Sequence, residues 1–182
     1  MQKRLFLAIS LPEDIKKRLF RFIEKEYEEL PVKWVRQKNF HVTLNFLGYI
    51  PDENISGICE CIRGVAEDLQ SFGLDFVKTE FGPNKETKRM IWTTGEKSEE
   101  LTELKYQLDR ALGFFVKEKR EFSPHVTLGR IRKEQWRKIF PEPNVNRDLR
   151  FFIPVDSVEL YESKFEKGKR VYYVLESFPL SA

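Results

Sequence analysis

The chain has 182 residues, of which 41% are hydrophobic and 16 are phenylalanine. This length and composition suit one domain, or two small lobes that share a fold, with a buried core. No apolar run approaches the roughly 18 residues of a membrane span, and a net charge of +3 neither forms a polybasic tail nor implies nucleic-acid binding by itself. We therefore expect a protein without contact to membranes.

The first half of the chain is predicted to alternate strands and helices. Strands are expected over residues 3–10, 39–48 and 74–81, and helices around the apolar residues of 15–30 and 55–69. Apolar residues at helical spacing favour the helices, and strict alternation favours the second strand. Ser10 and Glu13 have the spacing of a capping box at the start of the first helix, with Pro12 in its first turn.

The two cysteines, Cys59 and Cys61, fall within the second helix. One such pair does not indicate a disulfide framework. A metal site is not expected either, because the chain has two histidines and neither is near the cysteines in sequence. We expect both cysteines to pack on or beside the apolar helix face, no metal or other cofactor, and a reducing cytoplasm as the location. The short N-terminal apolar run leads into charged residues, which disfavours a signal peptide.

The second half repeats the same order of elements. Strands are expected over residues 90–94 and 122–131, a helix from Ser98 and a short helix over 134–140, and two terminal strands over 155–163 and 171–178 with a turn at Gly168. His41 follows Leu5 by 36 positions, and His125 follows Ile91 by 34. We therefore predict an α+β fold made of a duplicated unit, with halves of roughly 1–83 and 84–182 related by pseudo-two-fold symmetry across a cleft. No linker separates the halves, so residues 1–182 are expected to form a single domain, and a monomer is the default.

Both histidines of the chain begin the tetrapeptide HVTL, at His41 and at His125. On a strand, residues two apart share a face, so Thr43 accompanies His41 and Thr127 accompanies His125. Two-fold packing would aim two imidazoles and two hydroxyls at one point. Imidazole titrates near neutral pH, so one ring can accept a proton while the other donates one. Hydroxyls can hold anionic oxygens. This set suits in-line displacement at phosphorus, and ring strain in a cyclic phosphate would make a metal unnecessary.

The doubled motif resembles that of the two-histidine (2H) phosphoesterase superfamily. Within it, the segments RLFLAISLP, HVTLNFLG, RMIW, SPHVTLGR and ELYESKFEKGKRVYYVLESFPL resemble the RNA 2′,3′-cyclic phosphodiesterases, historically called 2′-5′ RNA ligases. The resemblance implies a bilobal α+β fold with two antiparallel sheets lining a central groove and helices outside. It implies hydrolysis of RNA or oligonucleotide ends from a 2′,3′-cyclic phosphate to a 2′-phosphate. By the same resemblance, His41 would give a proton to the leaving 3′ oxygen, His125 would activate water, and Thr43 and Thr127 would hold the phosphate.

Other candidates depend on strand geometry. Arg130 is a candidate phosphate ligand, but strict alternation from His125 places it on the opposite face unless the strand ends or bulges near Gly129. Phe46 could stack on a base, but its parity predicts the core. Trp34 is expected to pack. Three basic groups could contact RNA or form solvated faces: Lys33, Arg36 and Lys38; Arg130, Arg132 and Lys133; and Lys164, Lys167, Lys169 and Arg170.

Three alternatives remain open at the level of sequence. The same residues could join RNA ends through a 2′-5′ bond, with a 5′-hydroxyl in place of water. The cleft could hold nucleotides without turnover, although both His-Thr pairs are intact. Finally, the histidines could be incidental to a scaffold. The natural RNA substrate is not indicated by any of these features.

Overall fold

The computed structural model describes residues 1–113, 115 and 122–182. These residues form nine strands, four α-helices and one 3₁₀ turn at Gln37–Asn39. The strands are β1 (Gln2–Ser10), β2 (Val32–Trp34), β3 (His41–Pro51), β4 (Phe72–Gly82), β5 (Met90–Gly95), β6 (His125–Ile131), β7 (Arg147–Val155), β8 (Ser157–Glu166) and β9 (Lys169–Pro179). The helices are α1 (Glu13–Tyr27), α2 (Asp52–Glu67), α3 (Glu99–Ala111) and α4 (Lys133–Trp136). Two strands, β2 and β7, were not predicted.

The strands form one antiparallel sheet in the order β7-β4-β5-β6-β3-β1-β8-β9, and β2 pairs with β6 beside this path. The two four-stranded halves meet where β6 lies next to β3, and their ladder there consists of one residue pair, Val42 with Val126. The predicted α+β class with antiparallel strands is confirmed. The two predicted sheets are the halves of one sheet, and the functional motifs lie on the two central strands.

The predicted division of the chain near residue 83 does not match the sheet. β8 and β9, from the C-terminal end, complete the half that contains β1 and β3, whereas β4 belongs to the half with β5, β6 and β7. Strand β7, which the prediction lacked, pairs along β4. The two halves of the sheet therefore exchange strands across the boundary that the repeat suggested.

Helix α1 buries the apolar face that its periodicity predicts, with Ile15, Leu19, Ile23 and Tyr27 inside. The predicted capping box is wrong, because Pro12 is the N-cap and no side chain caps the helix. Ser10 is still part of β1, where its amide donates to Glu159 Oε2 at 3.0 Å and its hydroxyl bonds with the Tyr161 hydroxyl at 2.6 Å. By contrast, Ser98 caps α3 by accepting from the Leu101 amide at 3.1 Å.

The two cysteines of α2 are free and differ in burial: Cys59 is buried and Cys61 is exposed. The expectation that both pack at the apolar face is therefore wrong for Cys61, because positions two apart on a helix point in nearly opposite directions. Burial raises the pKa of the Cys59 thiol to about 11. Among the described residues, no helix is long and apolar enough to cross a membrane, and no three metal-ligating side chains form a cluster.

Candidate active site

The two HVTL motifs meet in one cleft at the centre of the sheet. The cleft has a volume of about 730 Å³, and His41, Thr43, His125 and Thr127 all line it. Because Val42 pairs with Val126 in antiparallel fashion, the residue that precedes one valine lies near the residue that follows the other valine. His41 is therefore on the side of Thr127, and His125 on the side of Thr43. Each imidazole is grouped with the hydroxyl of the other motif as well as its own.

Each imidazole is oriented by the backbone two residues earlier. His41 Nδ1 lies 2.7 Å from the carbonyl oxygen of Asn39, and His125 Nδ1 lies 2.8 Å from that of Ser123. A carbonyl oxygen can only accept, so Nδ1 carries the hydrogen in both rings. The nitrogen that gains or loses a proton is then Nε2 in each case. The sequence carries no signal for this contact, since any residue at positions 39 and 123 offers a carbonyl.

The surroundings of His41 keep its ring neutral. Burial is the main cause that lowers the His41 pKa, to about 4, while the hydrogen bond to the Asn39 carbonyl raises it and the charges of His125 and Lys16 lower it further. Three aromatic rings, from Phe6, Tyr161 and Tyr172, surround the imidazole at centroid distances of 5.1, 6.1 and 5.4 Å. Near neutral pH, His41 of the ligand-free protein therefore lacks a positive charge.

A β-bulge in each motif changes which residues face the cleft. Thr43 pairs with Ala8 and Asn45 with Leu7, so Leu44 is the extra residue in β3. In β6, Thr127 pairs with Trp92 and Gly129 with Ile91, so Leu128 is the extra residue. After each bulge the alternation of faces reverses. The six residues that begin at His41 and the six that begin at His125 accordingly show the same pattern of buried and less buried positions. The last residue of each set is exposed.

The exposed residues after the two bulges are Phe46 and Arg130, and both line the cleft. The prediction that Phe46 belongs to the core is wrong: 49% of its surface is exposed. Arg130 reaches the cleft because of a bulge of the kind that the sequence required, although the extra residue is Leu128 rather than Gly129. These two side chains occupy equivalent places in the two copies of the motif.

The rest of the lining is cationic and aromatic. Six basic side chains line the cleft, and no carboxylate does so among the described residues; the six are Arg4, Lys33, Arg36, Arg130, Lys169 and Arg170. Each of the three basic groups in the sequence contributes to this lining, whereas Arg4 was not singled out. Trp34 packs against Tyr27, with ring centroids 5.8 Å apart, and also lines the cleft. The arrangement favours an anionic ligand with a flat group.

The chain matches the family model described as LigT like Phosphoesterase over residues 9–92 and 94–172. A protein named RNA 2′,3′-cyclic phosphodiesterase from Geobacillus stearothermophilus is 30% identical over 183 residues, covering 96% of this chain and 56% of that protein. A protein of the same name from Thermotoga maritima is 29% identical over 94% of this chain and 92% of its own length. The chain thus spans about half of one relative and nearly all of the other.

Solved structures share the fold over the whole chain. The protein TT0787 of Thermus thermophilus superposes with a TM-score of 0.82 at 27% identity, covering 97% of each chain. LigT of E. coli, solved in complex with 3′-AMP, superposes with a TM-score of 0.81 at 24% identity, covering all of both chains. At this level of identity the second likeness concerns the fold alone.

Proposed function

Because the chain belongs to the family of LigT-like phosphoesterases, we propose that it hydrolyses 2′,3′-cyclic phosphates at the ends of RNA or oligonucleotides and leaves a 2′-phosphate. The observation that carries this proposal is the meeting of two identically oriented imidazoles in one cationic cleft. Relatives that align with nearly the whole chain bear the name of this activity. Two imidazoles on neighbouring strands support the proposal, because in-line displacement at phosphorus requires an acid and a base.

The chemistry needs one proton acceptor and one proton donor on opposite sides of phosphorus. The acceptor takes a proton from water as the water oxygen bonds to phosphorus. The bond from phosphorus to the 3′ oxygen then breaks, and the donor protonates that oxygen, so that the 2′-phosphate remains. Following the family resemblance, we assign His125 Nε2 as acceptor and His41 Nε2 as donor. Strain in the five-membered cyclic phosphate lowers the barrier, so this assignment requires no metal.

The assignment of His41 as donor requires that the substrate itself charge the ring. In the ligand-free cleft the low His41 pKa leaves the imidazole neutral near pH 7. A bound phosphate places a negative charge beside the ring, which favours the protonated form. The positive charge of Lys16, one of the causes that lower the His41 pKa, is offset directly by such an anion. The proton donor would thus form when the substrate binds.

The remaining roles follow from the hydrogen bonds that the side chains can donate and from the ring on which a base can stack. Thr43 and Thr127 are placed to donate hydrogen bonds to the non-bridging oxygens, and the Arg130 guanidinium can bind phosphate through two N–H groups. Phe46 offers an exposed ring on which a nucleobase can stack. Phosphate and base would then be held at the two equivalent places that follow the bulges. The other cleft cations suit the backbone of a longer RNA.

The test is hydrolysis of an oligonucleotide that ends in a 2′,3′-cyclic phosphate, by the purified protein in EDTA. His41→Ala and His125→Ala are compared with Cys61→Ser, an exposed change on α2 outside the cleft lining. We expect a 2′-phosphate product from wild type and Cys61→Ser, and a loss of roughly 10²–10⁴-fold or more in each histidine variant. Smaller losses in both histidine variants would contradict the acid–base assignment. Inhibition by EDTA would contradict the metal-free mechanism.

Two other outcomes would replace the proposal. Joining of ends when an acceptor with a 5′-hydroxyl is added would show that the site performs 2′-5′ ligation. Tight binding of nucleotides without any product would show a binding module instead of an enzyme.

A further inference from the structure

We propose that Trp92 is a positioning residue of the active site. Its indole stacks on the His125 imidazole, holds that ring in place and stabilises the positive charge that the ring acquires on accepting a proton. This inference rests on the proposed function for its catalytic consequence. Trp92 is not among the residues that line the cleft, so its indole would act through His125 and not on the substrate.

The contact between the two rings is close and nearly parallel. Their centroids are 3.6 Å apart and their planes differ by 16°. The sheet produces this contact, since Thr94 of β5 pairs with His125 and Trp92, two residues earlier, is its diagonal neighbour on the same face. Trp92 itself pairs with Thr127. The Trp92 indole therefore lies against the imidazole of the second motif, and Trp92 is the cross-strand neighbour of Thr127.

The indole is also constrained by β4, the strand that lies on the side of β5 opposite β6. Gly82 of β4 pairs with Met90, which makes Gly82 the diagonal neighbour of Trp92 in that direction. A Cβ atom at position 82 would lie 2.3 Å from both Trp92 Cδ2 and Trp92 Cε2. The backbone of Gly82 therefore closely approaches the indole, and any side chain there would displace it. Trp92 is confined between Gly82 and His125.

The chemistry of the side chain also indicates a function beyond packing. Trp92 Nε1 is buried and has no hydrogen-bond partner among the described residues. A buried N–H without a partner is unfavourable, and phenylalanine would fill an apolar position without that cost. Indole, however, is the aromatic ring that interacts most strongly with a cation on its face. Stabilisation of a charged His125 would account for tryptophan at this position.

Among the rings that the structure describes, none is stacked in this way on His41 of the first motif. Phe6 of β1 lies beside His41, but its ring centroid is 5.1 Å away and its plane is tilted by 40°. Among the described residues, the charged and titratable groups that line the cleft with His125 are His41 of β3, Tyr172 of β9 and six basic side chains, namely Arg4, Lys33, Arg36, Arg130, Lys169 and Arg170. The positive charges of these six side chains oppose a further charge on His125, whereas the face of the indole favours one.

The experiment measures His125 directly, independently of catalysis. In a His41→Ala background the chain has a single histidine, so its NMR signals report only His125. We expect Trp92→Leu to lower the pH midpoint of that titration by about half a unit or more, and Trp92→Phe to lie between Trp92→Leu and the parent. The control is Trp136→Leu, which removes a buried tryptophan of α4 and should leave the His125 titration unchanged.

With an intact His41, we expect Trp92→Leu to lower kcat roughly 2- to 30-fold with less than a twofold change in KM, and Trp92→Phe to restore most of the loss. An unchanged His125 titration in both Trp92 variants, or an equal shift in Trp136→Leu, would overturn the proposal. A Trp92-dependent titration in a protein that is inert on cyclic phosphates would instead support the role of Trp92 and contradict the proposed function. Trp92→Phe removes little volume, so the test does not depend on the folding of Trp92→Leu.

Discussion

Binding of a cyclic phosphate should draw a proton onto His41, and the pKa of this residue in the ligand-free protein limits the size of the effect. The His41 pKa is about 4 in the ligand-free cleft. If the bound anion returns it to the ordinary value of about 6.5, protonated His41 binds the ligand preferentially. Affinity should then rise about tenfold as the pH falls from about 7.5 to 5.5. The change should flatten near the pKa of the free protein.

The assay is titration of uridine 2′,3′-cyclic monophosphate into the His125→Ala variant by calorimetry. This variant should not hydrolyse the ligand, and neither the uracil nor the cyclic phosphate gains or loses a proton across that pH range. The matched control is the variant that lacks both histidines, in which we expect an affinity that does not depend on pH. A flat profile in His125→Ala, or an equal slope in the double variant, would refute the reasoning that the substrate charges His41.

Three further predictions test the environment of the cleft. Because the His41 pKa is lowered, the unfolded chain binds more protons than the folded chain between about pH 6.5 and 4. The stability that neutral His41 contributes is therefore present above pH 6.5 and is lost on acidification. The wild type should lose about 2 kcal/mol of unfolding free energy from this group between pH 8 and 5, and His41→Ala should not show this loss in urea unfolding. Arg130→Ala should lower kcat/KM about 10- to 100-fold, as expected for losing a charge-assisted hydrogen bond, whereas Arg132→Ala, outside the cleft lining, should change it little; equal effects would contradict the role of Arg130. Phe46→Ala should raise KM about 5-fold or more without lowering the melting temperature, since the ring is 49% exposed, and a large loss of stability would instead indicate packing.

Most helices and strands of the fold could be predicted from local patterns, but the order in which the strands pair in the sheet could not. Periodicity identified α1 through Ile15, Leu19 and Ile23, and alternation identified β3 and β6. Strand β2 has three residues, too few for alternation to be recognised. Strand β7 alternates buried and exposed residues, but no element is predicted there from the sequence. The exchange of strands between the two halves of the sheet depends on long-range pairing, for which a single sequence carries no signal.

The bulges explain why strand alternation places four residues of the candidate site in the cleft but misplaces Phe46 and admits Arg130 only on condition of a bulge. Alternation holds from His41 to Thr43 and from His125 to Thr127, and these four residues line one cleft. It fails at Leu44 and Leu128, and residues beyond that point change face. The sequence does contain a signal of the failure in β3, since Phe46 and Leu47 are both apolar and neighbours in a strand cannot both face one core.

The two histidines differ in the residues that surround them, although their motifs are identical. Two identical HVTL tetrapeptides, each with Nδ1 bound to a carbonyl two residues earlier, cannot by themselves give the two rings different affinities for a proton. Among the described residues, the surroundings of the two rings differ: Phe6 and Tyr172 lie beside His41, with Lys16 adding a repulsive charge, and Trp92 stacks on His125. The motifs alone therefore leave the acid and the base undecided, and the described residues that distinguish the two rings belong to β1, β5, β9 and α1. Exchanging aromatic residues on these elements should change the pH dependence of the reaction while both motifs remain intact.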